Sequence, residues 1–228
     1  MKVSVVVPVY NEEEYIKSCL QNLLNQTENP DEIIVVDNNC VDRTAKIARQ
    51  MGAKVVKEEK QGMIHARNKG FDTASYDIIA RCDADVIVSS GWIKRIKYNF
   101  VNFEMDALSG PIVYYDSFLK SASILPSYLY LESLRAISKG NRYLLGPNMA
   151  IKKSVWLKVK KFVNLDDSKV HEDIDLSLNI IKAGGKIGYD SSLAVKASSR
   201  RIKNRPESFF LEYPARMVKT FLINKIKK

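Results

Sequence analysis

Short apolar runs alternate with stretches of helical spacing through the first half of this chain. Four runs rich in valine and isoleucine have the composition of strands buried on both faces: Val3–Val9, Glu32–Asp37, Ala53–Lys57 and Asp77–Cys82. Between them, helix-like segments occupy Glu12–Asn25, Asp42–Met51 and Gly62–Thr73. Repeated strand–helix–strand units form parallel sheets through right-handed crossovers. The sequence therefore predicts an α/β fold with a mainly parallel central sheet flanked by helices.

The second half has a looser pattern, which we expect to complete the sheet and cover it. We predict strands over Asp106–Tyr115 and Tyr143–Lys152, and helices over Gly91–Phe103, Val155–Lys161 and Asp173–Ala183. No linker, repeat or low-complexity stretch marks a second domain. We therefore expect one domain over residues 1–204, followed by a C-terminal amphipathic, basic helix over residues 205–228.

Composition is that of a soluble globular protein, since hydrophobic residues make up 46% and charged residues 27% of the 228 residues. The formal net charge of +10 favours an anionic partner: a nucleotide, a nucleic acid or an acidic membrane leaflet. The three cysteines lack metal-ligand spacing and are expected to be buried thiols of a reducing compartment. The first apolar run is too short for a signal peptide or a membrane span, so we expect a cytoplasmic protein.

Polar residues follow three of the predicted strands at the point where each strand ends. The first strand runs into residues 10–12, the second into residues 37–39, and the fourth into residues 83–85. One such cluster would be weak evidence, because asparagine and aspartate also favour turns and helix caps. Ligands bind beyond the carboxyl ends of parallel strands, so three clusters at one sheet edge predict a binding site.

The acidic pair Asp83 and Asp85 gives the sharpest chemical indication. Only Ala84 separates the two carboxylates, and no cation stands beside them in the sequence. Hard divalent cations often bind through one or two carboxylates together with substrate phosphates. The pair therefore predicts a Mn²⁺ or Mg²⁺ that bridges the protein and a diphosphate. The alternative is an acidic turn that caps the following helix.

Two predicted helix starts add weaker indications. Gly62 opens a helix that carries Arg67 and Lys69; helix N-termini and arginines bind phosphate, although basic residues on a helix usually form a solvated face. The acidic run His171–Asp175 could simply cap its helix and compensate the helix dipole. The sharper interpretation places one of its carboxylates in the cleft as a general base.

Six short motifs in sequence order make the chain resemble an inverting family 2 glycosyltransferase of the GT-A fold, from Val3 to about Arg201. The motifs are Val7–Glu12, Val35–Asn39, Ala66–Gly70, Asp83–Asp85, Gly146–Ala150 and Glu172–Asp173. Each is weak alone, whereas the six together are specific. The resemblance implies an enzyme that moves a hexose from a UDP- or GDP-linked sugar to a hydroxyl of a glycan or a polyprenyl-linked acceptor.

The resemblance also implies roles for individual residues. Nucleotide contacts would come from Pro8, Val9, Tyr10, Glu12, Asp37, Arg67 and Asp83. Asp85 would hold the metal with help from Asp83, and Asn148 would face the transferred sugar. Asp173 would be the catalytic base, while Glu172 would share the catalytic site and position the acceptor. The reaction would be a single displacement at the anomeric carbon.

One departure from the family pattern concerns a further metal ligand. Similar enzymes often carry a histidine just before a Ser-Arg-Arg stretch, but the corresponding segment Val195–Arg201 has none. Lys196, Arg200 or Arg201 could hold the diphosphate instead, or metal binding could be weaker. His171 is a further alternative for the missing ligand.

Two other classes of protein share some of these sequence features. A nucleotidyltransferase shares a similar sheet and metal-bound carboxylates, but it normally has a basic, glycine-rich loop after the first strand, whereas residues 10–14 here are acidic. Nucleic-acid binding fits the net charge but not the acidic pair, which would repel phosphate without a metal. We therefore expect no nucleic-acid partner.

The C-terminal segment predicts a peripheral membrane contact. Its apolar residues fall largely on one side at helical spacing: Phe209, Phe210, Tyr213, Met217, Phe221, Leu222 and Ile226. Lysines cluster towards its end, so we expect an in-plane helix on an anionic membrane and a lipid-linked acceptor. The aromatic segment Tyr114–Leu134 could add a second contact. The alternative is that both segments pack on the domain or on a second subunit of a homo-oligomer.

Overall fold

The computed structural model describes residues 1–116, 132, 134–135, 140–204, 207 and 211–226. Its first half contains β1 (Val3–Val9), α1 (Ile16–Leu24), β2 (Glu32–Asp37), α2 (Thr44–Gln50), β3 (Lys54–Lys57), α3 (Met63–Thr73) and β4 (Ile78–Arg81). Its second half contains β5 (Val86–Val88), α4 (Trp92–Asn102), β6 (Ala107–Ser109), β7 (Ile112–Tyr114), β8 (Met149–Lys152), α5 (Lys153–Val159), α6 (Glu172–Lys182), β9 (Ile187–Tyr189), β10 (Val195–Ala197), α7 (Arg200–Asn204) and α8 (Tyr213–Ile226).

The central sheet has seven strands in the order β3-β2-β1-β4-β8-β6-β9. The strands β3, β2, β1 and β4 are parallel to one another, and β6 is parallel to β9. Only β8 runs against its neighbours, β4 and β6. The predicted α/β fold with a mainly parallel sheet and flanking helices is therefore confirmed.

Helices bury both faces of this sheet, which explains the unbroken apolar runs of its strands. Val5 and Val7 of β1 belong to a core cluster that includes residues of α1 and α4. Val6, which points to the opposite face, belongs to a second cluster with residues of α3, α5 and α6. A large buried tryptophan anchors each side, Trp92 in the first cluster and Trp156 in the second.

Two predicted strands differ from the structure. The run Asp106–Tyr115 divides at Gly110 and Pro111 into β6 and β7, which join different sheets. A Cβ atom at Gly110 would lie 2.3 Å from the carbonyl oxygen of Leu193, so the chain can pass here only with glycine. The run Tyr143–Lys152 contributes only β8, because the Asn148 N–H donates to the Leu145 carbonyl at 2.9 Å and closes a turn before the strand.

The C-terminal helix α8 packs on α6 with the side that carries Met217 and Phe221. These two side chains cover a small cluster formed by Leu134, Tyr143 and Ile174. The outward-facing side of α8 carries Val218 and Leu222, which are exposed. No helix within the described ranges is long and apolar enough to cross a membrane. Of the other predicted contact segment, Tyr114–Leu134, residues 117–131 and 133 lie outside the described residues, as do Phe209 and Phe210.

Candidate active site

The strands β1, β2 and β4 end at one edge of the sheet, and all three predicted polar clusters lie there. The chain turns after β1 and β2 through asparagines with left-handed backbone, Asn11 at φ 54° and Asn39 at φ 66°. Asparagine tolerates this conformation better than most residues, which explains its position in both loops. The expected convergence of the clusters on one edge is confirmed.

Asp83 and Asp85 are both paired with arginines in the structure, although no basic residue stands directly beside them in the sequence. Arg81 Nη2 donates to Asp83 Oδ1 at 3.0 Å, and Arg200 Nε donates to Asp85 Oδ2 at 2.9 Å. Arg81 is the last residue of β4 and its side chain is buried. A buried guanidinium requires a partner of opposite charge, and Asp83 supplies part of that requirement.

Arg200 also binds Glu12, so that one guanidinium joins the loop after β1 to the acidic pair. Its Nη2 lies 2.5 and 2.6 Å from the two carboxylate oxygens of Glu12, and its guanidinium carbon lies 4.3 Å from the centroid of the Tyr15 ring. Burial raises the pKa of Glu12, and the hydrogen bond and charge of Arg200 offset this rise only in part. The guanidinium therefore holds together two carboxylates that would otherwise repel each other.

A second, three-stranded sheet brings Arg200 to this position. β5 starts directly after Asp85 and pairs antiparallel with β10, which pairs in turn with β7. The register sets Ala197 opposite Val86, and the Ser198 N–H donates to the Asp85 carbonyl at 3.3 Å. Helix α7 begins just beyond this contact, with Arg200 as its first residue.

Glu172 lies between two buried arginines. Arg67 Nη1 lies 2.6 Å from Glu172 Oε2, and Arg81 Nη1 binds Oε1 of the same carboxylate. The exposed fraction is 0% for Arg67 and 2% for Arg81. With Asp83, these residues form a continuous ion chain from α3 through the start of α6 to the end of β4. The structure thus pairs Arg67 with Glu172. That Arg67 contacts the nucleotide and that Glu172 contacts the acceptor remain predictions.

Replacing Glu172 with alanine should therefore destabilise the fold. The change leaves Arg67 without its carboxylate partner and Arg81 with only Asp83, and breaking a buried ion pair costs about 3–5 kcal/mol. Urea denaturation followed by circular dichroism measures the loss. The matched control is Glu28→Ala, because Glu28 is 43% exposed in its ion pair with Lys97 and should cost no more than about 1 kcal/mol. Equal stability of Glu172→Ala and the wild type would contradict this role.

Asp173, the predicted base, is buried in the first turn of α6. Its Oδ2 accepts the Gly146 N–H at 3.0 Å, and its Oδ1 lies 2.5 Å from Nδ1 of His171. Burial raises the pKa of Asp173, but the charge of His171 and the hydrogen bonds from His171 and Gly146 outweigh burial, and the net pKa is lowered. The carboxylate therefore stays ionised at neutral pH.

Of the remaining nucleotide candidates, Tyr10 lies in the loop after β1, Asp37 is the last residue of β2, and Pro8 and Val9 lie in β1. Tyr10 is 53% exposed, as a side chain that contacts a ligand could be. Asp37 ends β2, and its Oδ1 accepts the Cys40 N–H at 2.9 Å. Pro8 and Val9 are buried in β1, so they could offer a ligand backbone rather than side-chain contacts.

Asn148 lies in the core of the molecule. Its Oδ1 accepts a hydrogen bond from Trp92 Nε1 at 3.1 Å, and its Nδ2 donates to the Leu193 carbonyl at 2.6 Å. The residue is 0% exposed, so the predicted sugar contact would require these bonds to open. Of the basic candidates beside Arg200, Lys196 is exposed on β10, and the side chain of Arg201 lies outside the described part of the structure.

The acidic pair fits a divalent cation that is shared with substrate phosphates. The side chains of Asp83 and Asp85 are 21% and 18% exposed at the end of β4, and they supply the carboxylate oxygens that Mn²⁺ and Mg²⁺ prefer. Among the described residues, no group of three His, Cys, Asp or Glu side chains could hold a metal on its own. His171 binds Asp173 instead of completing such a group. A metal at Asp85 would have to share this carboxylate with Arg200 or displace it.

Sequence reasoning missed Arg81 and the pairing of His171 with Asp173. A signal for Arg81 was present, because an arginine that follows Ile78, Ile79 and Ala80 in a buried strand needs an acidic partner. The histidine pairing had no such signal. His171 precedes α6 with an extended backbone at φ −84° and ψ 117°, and this local conformation brings its ring back to Asp173.

Known structures of glycosyltransferases share this fold. One is the mannosyltransferase PcManGT from Pyrobaculum calidifontis in complex with GDP-Man and Mn²⁺, which is 19% identical with a TM-score of 0.78 over 100% of this chain and 64% of that one. Another is glucosyl-3-phosphoglycerate synthase from Mycobacterium tuberculosis with Mn²⁺, UDP and glucosyl-3-phosphoglycerate, at 17% identity and a TM-score of 0.67 over 98% and 79% of the chains. The fold is therefore the GT-A fold of glycosyltransferases.

The family profile described as glycosyl transferase family 2 matches residues 4–156, and the chain belongs to this family. Glycosyltransferase AglE of Haloferax volcanii is 32% identical over 148 residues, which are 61% of this chain and 49% of that protein. The putative glycosyltransferase EpsH of Bacillus subtilis is 41% identical over 88 residues, which are 36% and 26% of the two chains. The matched part thus spans about half or less of these relatives.

Proposed function

We propose that this protein is a glycosyltransferase that moves a hexose from a UDP- or GDP-linked donor to a hydroxyl of a glycan or a polyprenyl-linked acceptor, with inversion at the anomeric carbon. One observation carries the proposal: an ion chain through Arg81 and Glu172 links the acidic pair at Asp83 to the start of α6, where Asp173 is buried and ionised. The acidic pair suits a metal–diphosphate, and the buried carboxylate suits a general base. The GDP-Man and UDP bound to the structural neighbours support a nucleotide-sugar donor.

In the proposed reaction, Asp85 and Asp83 would hold Mn²⁺ or Mg²⁺, which when bound would offset the negative charge of the departing diphosphate. Tyr10, Glu12 and Asp37 would contact the nucleotide. Asp173 takes the proton of the acceptor hydroxyl while the hydroxyl oxygen bonds to the anomeric carbon and the bond to the diphosphate breaks. When the donor binds, the guanidinium of Arg200 would leave the carboxylates of Glu12 and Asp85 and bind the diphosphate. Lys196 and Arg201 are further candidates for this contact.

The donor should stabilise the folded protein. A ligand at 100 times its Kd that binds only the folded state adds about 2.7 kcal/mol to the free energy of unfolding, roughly 5–10 °C in Tm for a chain of this size. Thermal unfolding should show this rise for UDP or GDP with Mn²⁺, and a smaller rise with EDTA. The matching monophosphate is the control, because it lacks the second phosphate that the metal would bridge. If no nucleoside diphosphate raised the Tm, the donor class would be wrong.

The outer side of α8 supports a contact with an anionic membrane that presents a lipid-linked acceptor. Val218 and Leu222 of α8, and Leu211 just before this helix, lie at helical spacing and are 54%, 55% and 69% exposed. Lys219 and Lys225 are exposed beside them. An exposed apolar stripe next to lysines suits a helix that lies in the plane of an anionic bilayer.

Co-sedimentation with vesicles tests this contact. The wild type should sediment with vesicles rich in phosphatidylglycerol, and the double variant Val218→Ser, Leu222→Ser should lose most of this binding because it removes apolar surface. Serine substitutions are preferable to truncation, since truncation would also remove the buried Thr220 and Asn224. The matched control replaces Val101 and Leu157, which are 67% and 51% exposed on other helices. Equal binding by both double variants would refute the membrane contact.

A further inference from the structure

We propose that Thr220 of the C-terminal helix α8 is a positioning residue for the reaction, because it holds the turn of the chain that presents Asp173. This role rests on the proposed function, in which Asp173 is the base. The contact that carries it is the hydrogen bond from the backbone N–H of His171 to Thr220 Oγ1, at 2.7 Å. Thr220 is 0% exposed, so water has little access to this bond.

The hydroxyl of Thr220 uses both its donor and its acceptor capacity. It donates to the carbonyl of Arg216, one turn earlier in α8, at 2.6 Å. This bond fixes the direction of the O–H group and leaves a lone pair for the N–H of His171. That N–H precedes α6 and has no acceptor within α6. The acceptor therefore comes from α8, which lies far away in the sequence.

His171 transmits this constraint to Asp173. The carboxylate of Asp173 is ionised and has no proton to donate, so Nδ1 of His171 is the donor in the 2.5 Å contact with Oδ1. The N–H of Gly146 donates to Oδ2 at 3.0 Å, which gives each carboxylate oxygen one donor. The ring of Tyr213, also in α8, packs edge-on against the imidazole with 5.2 Å between the ring centroids. Two residues of α8 thus determine where the Nδ1–H group points.

A second polar contact fixes the register of α8 on α6. Asn224 lies one turn after Thr220, is 3% exposed, and donates from Nδ2 to Asp175 Oδ1 at 2.9 Å. Asp175 belongs to the first turn of α6, as Asp173 does. Buried polar groups that are fully hydrogen-bonded specify one arrangement, because any other leaves them without partners. The family profile ends at residue 156, so α8 contributes to the site from outside the matched part of the chain.

The position of the carboxylate matters because a general base must lie within hydrogen-bonding reach of the proton that it takes. A displacement of about 1 Å at a reacting group can cost about 10²-fold in rate. Without the bond to Thr220, the peptide before α6 can rotate and the His171 ring can leave Oδ1. Asp173 would then keep only the bond from Gly146. We therefore expect Thr220 to affect kcat and to leave the KM of the donor nearly unchanged.

Kinetics of Thr220→Val test this role. Valine keeps the shape of threonine but accepts no hydrogen bond, so kcat should fall about 10-fold with little change in the KM of the donor. Thr220→Ser keeps the hydroxyl and should retain most of the wild-type kcat. A wild-type kcat in Thr220→Val would overturn the positioning role.

Phe221→Leu is the matched control for this variant on the same helix. Phe221 packs on the Tyr143 ring with 6.0 Å between the ring centroids, and its replacement leaves the hydroxyl of Thr220 in place. Phe221→Leu should therefore lower the Tm but keep kcat. An equal fall of kcat in both variants would assign the effect to looser packing of α8 and overturn the specific role of Thr220.

Nuclear magnetic resonance can follow the contact without turnover, because the chain contains only two histidines. In a His65→Gln background, the Nδ1–H proton of His171 should give a downfield signal that exchanges slowly with water. The signal should broaden or disappear in Thr220→Val and persist in Thr220→Ser and Phe221→Leu. An unchanged signal in Thr220→Val would overturn the positioning role. A wild type that transfers no sugar would instead refute the proposed function, whatever the signal of His171.

Discussion

Asp173→Asn should lower kcat by about 10²–10⁴-fold, because the amide has nearly the shape of the carboxylate but cannot take the acceptor proton. Donor affinity should change little, since the contacts of Asp173 are with Gly146 and His171. Steady-state kinetics with the donor varied at saturating acceptor separate kcat from KM. Asp173→Asn removes the proton-accepting group but keeps the volume of the side chain. An unchanged Tm would therefore show that the variant folds like the wild type.

Asp175→Asn is the matched control for this variant on the same helix. The carboxylate of Asp175 accepts hydrogen bonds from the Asn164 N–H at 2.8 Å and from Asn224 Nδ2 at 2.9 Å. An amide would turn a donor towards one of these donors, so Asp175→Asn should lose stability but keep the kcat of the folded fraction. A normal kcat in Asp173→Asn would exclude Asp173 as the base.

Asp85→Ala should abolish metal-dependent donor binding and reduce transfer to background. The change removes a proposed metal ligand at the end of a strand and opens no cavity in the core. Arg200 would still be held by Glu12, whose carboxylate oxygens lie 2.5 and 2.6 Å from Nη2, so the fold should persist. Calorimetric titration of the nucleoside diphosphate with Mn²⁺ and with EDTA measures the effect.

Asp77→Ala controls for the loss of an acidic residue near the same strand. Asp77 is exposed and immediately precedes β4, at the edge of the sheet opposite Asp83 and Asp85. Its removal should leave donor binding unchanged in both buffers. Substantial transfer by Asp85→Ala in the presence of EDTA would contradict the proposed metal site.

The sequence predicted those parts of the fold that depend on long local patterns. β1 and β2 begin and end where their apolar runs predicted, because strands buried on both faces leave an uninterrupted signal. The strands β5, β9 and β10 were missed, since three residues are too few to show a periodicity. The small sheet that delivers Arg200 was therefore not predictable from local pattern.

The candidate site also combines features that the sequence predicted with features that it did not. Convergence of the acidic pair with the loops after β1 and β2 followed from the topology of a parallel sheet. The charge pairs did not, because Arg200 and Asp85 are separated by 115 positions in the chain and only tertiary structure joins them. The same holds for Arg67 and Glu172, which are 105 positions apart. These ion pairs depend on burial rather than on sequence spacing, because a guanidinium that is buried away from water needs a carboxylate partner.

The configuration of the released sugar tests the proposed single displacement most directly. Purified protein with Mn²⁺ and α-linked UDP- or GDP-hexoses should slowly transfer the sugar to water, and proton magnetic resonance can identify the first anomer before mutarotation. Attack from the face opposite the diphosphate predicts β-hexose and the nucleoside diphosphate as first products, with both lost in Asp173→Asn. First release of the α-anomer, or of a nucleoside monophosphate with a sugar phosphate, would contradict inverting transfer.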